Sequence, residues 1–311
     1  MRAVKVWIAH EQGRGLLGEL PAGVTVEVCE DAVTWPSDPA TVDLWVPPFL
    51  SAARDADRIS ALSGLAAVQL LSAGADAWAG LLPSGVRLCD ARGVHDRPVA
   101  EWVVGAAVSM FRQFPAFARA QGREEWASEG LLPTGELTGK RVLVVGAGSI
   151  GRAVEEHLVP FGVTITRVAR MARPGEGVHG VADLPGLLPD AEVVVLLVPL
   201  TEQTRGLVDA AFLAALPDGA LLINAARGPV ADTAALVTEL SSGRISAALD
   251  VTDPEPLPPG HPLWQLPNVF ITPHIGGSVT GLLPRAYALV GDQIRRLAAG
   301  EPLINQVTDG Y

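Results

Sequence analysis

The stretch that decides the fold is Arg141 to Arg152, "RVLVVGAGSIGR". It reads as an apolar strand, a glycine turn and the first residues of a helix. Gly146, Gly148 and Gly151 stand in G-x-G-x-x-G spacing. In such a unit the first glycine permits the tight turn, the second lets backbone approach a pyrophosphate, and the third lets helix pack on strand. The N–H groups of Ser149 and Ile150 would face the phosphates, aided by the helix dipole. The next strand, within "VTITRVARMARP" (Val163 to Pro174), lacks a residue this unit usually has. An NAD site places Asp or Glu about 20 residues on, where it accepts from the ribose hydroxyls and repels an added phosphate. Here Ala169 and Arg170 end the strand, with Arg173 close behind. Ala169 removes the repulsion, and Arg170 and Arg173 supply counter-charges for a phosphate. The expectation is a site that prefers NADP(H) and still admits NAD(H).

Outward from that turn, strand-like runs alternate with helical ones. After it come "TITRV", "VVVLLV", "ALLIN", "SAALD" and "VFIT"; the amphipathic "DTAALVTELSSG" among them ends on Gly243. Before it, "AVKVWIA", "VTVEVCE", "VDLWVPP", "AAVQLLS" and "VRLCDA" give five further strands between Gly/Pro-rich or helical segments. Continuous apolar strands divided by helices predict parallel sheets covered on both faces. A long apolar segment, about Val99 to Ala120, is expected to form one helix buried between domains or at a subunit contact. The helical "RAYALVGDQIRRLAAG" near the end is expected to pack back on the first domain.

The chain has 311 residues, too many for one core to be the better expectation, so two domains are expected. Apolar residues make up 49% and charged ones 18%, with net charge −11. That profile excludes a disordered chain and argues against a surface for nucleic acid or anionic lipid. Cys29 and Cys89 are the only cysteines and fit no metal spacing, which points to a reducing compartment. The opening "MRAVKVWIAHEQ" has no export core, and the uncharged run Ile59 to Ala75 carries serines, glycines and Gln69. A cytoplasmic protein without a membrane span is expected.

Three later strands finish on residues able to do chemistry. "LLINAARGPV" sets Arg227 past a strand, "ALDVTDPEPLP" presents Asp250 and Glu255, and "VFITPHIGGS" presents His274 beside Gly276 and Gly277. Ligands of open α/β sheets sit at the carboxyl ends of strands, so the three are expected to converge. A 2-keto acid offers a carboxylate for a guanidinium and a carbonyl that needs a proton donor.

At these residues the chain resembles the D-isomer-specific 2-hydroxyacid dehydrogenase family. The matching pieces are "ELTGKRVLVVGAGSIGR", "VPLTEQTRG", "INAARG", "ALDVTDPEPLP" and "ITPHIGG", with "LSAGAD" and "RPVAEW" matching more loosely. The resemblance implies a Rossmann dinucleotide-binding domain, 99–284, inserted into a discontinuous flavodoxin-like substrate domain, 1–98 plus 285–311. Both would be doubly wound parallel sheets, with a cleft between them. It implies that Arg227 binds the substrate carboxylate and polarises the keto oxygen. His274 would be the general acid, and Glu255 would bond His274 and favour its protonated form. Asp250 would hold the nicotinamide carboxamide. Pro199, Thr204, Ala225 and Gly276 would join the cofactor site, and the backbone of Ala73 and Gly74 the substrate carboxylate. Formate dehydrogenases of this superfamily pair the histidine with Gln, where Glu255 stands; phosphite dehydrogenases place Lys where Ala73 stands. Neither special case is favoured.

The expected activity is hydride transfer between NADP(H) and a small 2-keto or 2-hydroxy acid, as in a glyoxylate/hydroxypyruvate reductase. "WVPPFL", Trp45 to Leu50, is expected to wall the substrate side chain. By resemblance a homodimer is expected, through the long apolar helix and "AEWVV". The alternative is a dinucleotide-sensing regulatory protein of the corepressor type, which would carry partner-binding tails. An inactive structural subunit is disfavoured by the presence of Arg227, Glu255 and His274.

Overall fold

The computed structural model describes residues 3–30, 34–51, 58–78 and 80–308. Their contacts divide the chain into two compact units, Met1–His95 with Val279–Tyr311, and Asp96–Ser278. The expected cuts at 98/99 and 284/285 fall inside the helices Asp96–Phe111 and Leu282–Ala299. The units part at the helix starts instead, where no helical hydrogen bond is interrupted.

In the first unit β1 (Val4–Ile8), β2 (Val24–Val28), β3 (Leu44–Val46), β4 (Ala67–Gln69) and β5 (Arg87–Cys89) form a parallel sheet. Their order β2-β1-β3-β4-β5 is that of flavodoxin-like folds. Alternation along the strands sends Val4, Val6 and Ile8 to one face, where they pack with Ala286, Val290 and Ile294 of the last helix. Trp7, Trp45 and Val68 go to the other face. The C-terminal helix therefore completes the first unit, as expected.

The second unit holds β6 (Arg141–Val145), β7 (Thr164–Ala169), β8 (Val178–Gly180), β9 (Val193–Leu196), β10 (Leu221–Asn224), β11 (Ser246–Leu249) and β12 (Val269–Ile271). All pair in parallel, in the order β12-β11-β10-β9-β6-β7-β8. The order reverses between β6 and β9, the switch point of a dinucleotide-binding sheet. Six of these strands match expected runs. The seventh, β8, is a three-residue edge strand too short to leave a periodic signal.

The long apolar helix differs from expectation. It runs Asp96–Phe111, breaks, and resumes over Phe114–Gln121. Gln113 adopts φ 59, and Pro115 lacks the N–H that a continuous helix would use. Its apolar face is buried inside its own unit: Val103, Ala106 and Ala107 share a core with Val144, Ile223 and Ala248. Among the described residues no helix is long and apolar enough to cross a membrane.

Candidate active site

The glycine turn has the geometry its spacing predicts. Gly146 takes φ +123, and a Cβ there would lie 2.7 Å from the carbonyl carbon of Leu197. A Cβ on Gly151 would come 2.2 Å from the Gly146 oxygen, so the helix Ser149–Leu158 seats on the turn only without one. At Gly148 a Cβ would meet no protein atom within 4 Å. Gly146 and Gly151 are thus required by packing, whereas Gly148 keeps space open in front of a helix N-terminus. That is the fit expected for a dinucleotide pyrophosphate. The Ser149 hydroxyl bonds to the carboxylate of Asp96, fastening the start of this helix to the start of the helix Asp96–Phe111. Ile150 packs against the core beneath.

Register carries the chemistry to the same edge. Val145, Leu196, Asn224, Leu249 and Ile271 stand in one row across β6, β9, β10, β11 and β12. The residues that follow them therefore begin the loops of one sheet edge. Four strand spacings of about 4.8 Å set the end of β12 roughly 19 Å from the glycine turn.

At that far end His274 Nδ1 lies 2.7 Å from Glu255 Oε1. An ionised carboxylate only accepts, so Nδ1 carries the proton of this bond and Nε2 is left to exchange one. Hydrogen bonding from His274 is the main reason the Glu255 carboxyl sits below its usual range, against an opposing effect of burial. The Arg227 charge acts in the same direction. His274 adopts φ 55, a left-handed conformation that costs a side-chain-bearing residue about 1–2 kcal/mol. It is held there from both sides: its N–H bonds the carbonyls of Asp250 at 2.8 Å and Thr272 at 3.0 Å.

The buried Asp250 carboxylate organises this loop. Oδ1 accepts from Thr272 Oγ1 at 2.6 Å and from the N–H of Ile275 at 2.8 Å; Oδ2 accepts from the N–H of Gly276 at 2.8 Å. Gly276 is small for the same reason, since a Cβ would stand 2.9 Å from Oδ2 and 3.7 Å from Trp102. Asn224 does the equivalent work under Arg227. Its Oδ1 accepts from the N–H of Ala226 at 3.0 Å, and its Nδ2 donates to the Arg227 carbonyl at 3.1 Å. The Arg227 guanidinium donates from Nη1 to the Ala226 carbonyl at 2.7 Å. Gly228 then lets the two loops touch: a Cβ there would lie 1.9 Å from the Thr252 oxygen. Asn224 and Thr272 carry no signal in the sequence, because nothing local marks a buried strand-end amide or a threonine hydroxyl as a brace.

Arg227, Glu255, His274, Asp250 and Gly276 are thus brought together, with Ala225 opening the Arg227 loop. Pro199 and Thr204 form a turn after β9, closed by Thr204 Oγ1 to the Pro199 carbonyl at 2.6 Å. Arg170 is exposed at the end of β7. Arg173 reaches the glycine turn, donating from Nη2 to the Ala147 carbonyl at 3.1 Å. In the first unit Ala73 and Gly74 follow β4 in a turn where the Ser72 hydroxyl donates to the Gly74 carbonyl at 2.8 Å. Trp45 corrects the expected apolar wall: it is buried and packs edge-on against Trp78 inside the core. Of that segment, Phe49 stacks on His95 and Leu50 is half exposed.

The other histidines have structural partners: His10 with Tyr287, His95 with the Leu71 carbonyl, His157 with that of Ala153, His179 with Asp183, and His261 with the Leu263 N–H. Among the remaining arginines, Arg58 is buried, Arg92 pairs with Asp90, and Arg97 is exposed. Arg54 lies outside the described residues.

Residues 104–276 match the model of the D-isomer specific 2-hydroxyacid dehydrogenase NAD binding domain. Over 288 residues the chain is 32% identical to glyoxylate/hydroxypyruvate reductase A of Salmonella typhimurium, covering 88% of this chain and 86% of that one. It is 32% identical to the chloroplastic/mitochondrial formate dehydrogenase of Arabidopsis thaliana, over 70% of this chain but only 59% of the relative. The crystal structure of a D-isomer specific 2-hydroxyacid dehydrogenase from Xanthobacter autotrophicus Py2, in complex with NADPH and MES, superposes with TM-score 0.83 at 33% identity. That match covers 99% of this chain and 98% of the other.

Proposed function

Because this chain belongs to the D-isomer specific 2-hydroxyacid dehydrogenase family, we propose that it is an NADPH-preferring reductase of a small 2-keto acid. The observation that carries the reading is the Glu255–His274 bond on the same sheet edge as Arg227 and the glycine turn. The nicotinamide ring supplies the hydride when the cofactor is bound. Arg227 grips the substrate carboxylate and polarises the keto oxygen. His274 gives a proton from Nε2 to that oxygen, and takes it back in the oxidative direction. Glu255 keeps Nδ1 occupied and the ring oriented. Asp250 has about one of four acceptor directions left after its three loop donors, and offers it to the nicotinamide carboxamide. Ala73 and Gly74 are proposed as substrate-carboxylate contacts on the resemblance alone.

The cofactor preference is supported by Ala169 at the end of β7, by the nearby Arg170 and Arg173, and by the NADPH in the Xanthobacter relative. The relative from Salmonella supports glyoxylate and hydroxypyruvate as substrates to test. Glu255, where formate dehydrogenases carry Gln, favours keto-acid chemistry. We further propose a cytoplasmic homodimer with no nucleic-acid partner. Its two buried cysteines form no disulfide, which suits a reducing compartment, and net charge −11 opposes a phosphate backbone. Phe114, Trp126 and Leu132 are each exposed, Trp126 to 99%, and are the apolar side chains in this part of the chain that a second copy could cover.

Initial rates with NADPH and with NADH, side by side over glyoxylate, hydroxypyruvate and bulkier 2-keto acids, test the proposal. Faster turnover with NADPH supports it. Faster turnover with NADH contradicts the cofactor preference, and no turnover with either removes the reductase reading.

A further inference from the structure

Arg173 is held by more than its place in the sequence. Its backbone pairs antiparallel with Val178, the Arg173 N–H to the Val178 carbonyl at 2.7 Å and the reverse bond at 3.2 Å. The Glu176 N–H closes on the Arg173 carbonyl at 2.9 Å, and Gly177 takes φ +64 to turn the chain back. This small loop returns the Glu176 carboxylate to the guanidinium three residues before it, with Arg173 Nε donating to Glu176 Oε2 at 2.9 Å. Nη2 donates to the Ala147 carbonyl between Gly146 and Gly148. Two bonds at separate nitrogens fix a planar guanidinium both in position and in tilt. Of its five N–H groups, the two on Nη1 meet no partner among the described residues. They are left beside the glycine turn, near the end of β7, where Ala169 takes the place of the acid.

We infer that Glu176 is a positioning residue for NADPH: it locks Arg173 so that its Nη1 edge is set in advance to receive the cofactor's 2′-phosphate. The inference rests on the NADP(H) reading above and names what makes it selective. A long flexible side chain loses rotamer freedom when it binds a ligand, and a guanidinium already held by Glu176 and Ala147 has lost most of it beforehand. The Glu176 carboxylate also carries a negative charge near a site for another. If charge outweighed orientation, its removal would tighten NADPH rather than weaken it. Orientation is the expected winner, because Glu176 is largely exposed, its charge is screened by solvent, and it is spent on Nε.

Dissociation constants of NADPH and NADH, read by nicotinamide fluorescence on the full chain, separate the possibilities. Glu176→Ala is expected to weaken NADPH about five- to tenfold and leave NADH within about twofold. Glu176→Gln keeps an acceptor for Nε without the charge, and is expected to restore most of the lost NADPH affinity. Tighter NADPH in both variants, or parallel weakening of both cofactors, overturns the inference. A wild-type NADPH preference that survives Glu176→Ala unchanged also overturns it, and leaves the cofactor reading standing. Equal wild-type affinity for the two cofactors sinks the cofactor reading and this inference with it.

Discussion

Gly228→Ala adds one methyl group at the point where the Arg227 and Glu255 loops meet. In the native backbone that Cβ would stand 1.9 Å from the Thr252 carbonyl oxygen, 2.2 Å from its carbon and 2.7 Å from the Asp253 nitrogen. All three are backbone atoms, so no side chain can swing away. Contacts of that kind do not occur below 3.0 Å, and the loops must part by more than 1 Å. Overpacking of this sort costs about 1–3 kcal/mol of stability. The larger effect is on chemistry, because Arg227 rides on one loop and Glu255 on the other. A misplacement of about 1 Å costs roughly a hundredfold in rate, so kcat/KM with the best 2-keto acid should fall by about that factor. NADPH affinity, which depends on the glycine turn two strand spacings (roughly 10 Å) from the end of β10, should change less. Steady-state kinetics, a thermal melt and an NADPH titration on one preparation give all three quantities. Retention of kcat/KM within about threefold, with an unchanged melt, would refute the claim that close loop contact aligns the two groups.

Gly148→Ala makes the opposite pattern: its Cβ meets no protein atom, so the melting temperature should hold while NADPH affinity drops, and equal affinity would deny the turn its ligand role. The Glu255 carboxyl lies below its ordinary range, so the contribution of its bond to His274 is complete above that range and is lost as pH falls through the lowered value. The stability gap between wild type and Glu255→Gln should therefore be full at about pH 6 and shrink below about pH 4; a gap that widens on acidification contradicts this sign. In the first unit the fully buried Gln293 donates to Gln69 Oε1 and the Ile304 carbonyl and accepts from the Ile304 N–H. Gln293→Leu strands those groups and should lower stability by about 2–4 kcal/mol in denaturant titration; a neutral result would mean the network relaxes around the leucine.

The parts legible in the sequence are those set by local chemistry. Continuous apolar runs give parallel strands, and the glycine spacing gives the turn, because the positive φ of Gly146 and the approach of Gly151 to the Gly146 carbonyl are local. Arg227, Glu255 and His274 were found because each follows a strand. What was hidden depends on partners that no local pattern marks. Gln293 looks like an ordinary polar residue until Gln69 is in place, and Asn224 until the loop after β10 turns Ala226 and Arg227 back on it. The break at Gln113 lies inside an apolar run whose composition alone favours one helix, and β8 is defined by its pairing with β7 rather than by any pattern of its own. The burial of Trp45 follows from the alternation of β3, which a reading of "WVPPFL" as a single loop conceals.

The most direct test is His274→Asn, assayed for turnover and for NADPH binding together. Loss of the Nε2 proton donor should lower kcat by roughly a hundred- to ten-thousandfold, while the NADPH dissociation constant stays within about threefold of wild type. Near-normal turnover in that variant would contradict the assignment of the acid to His274.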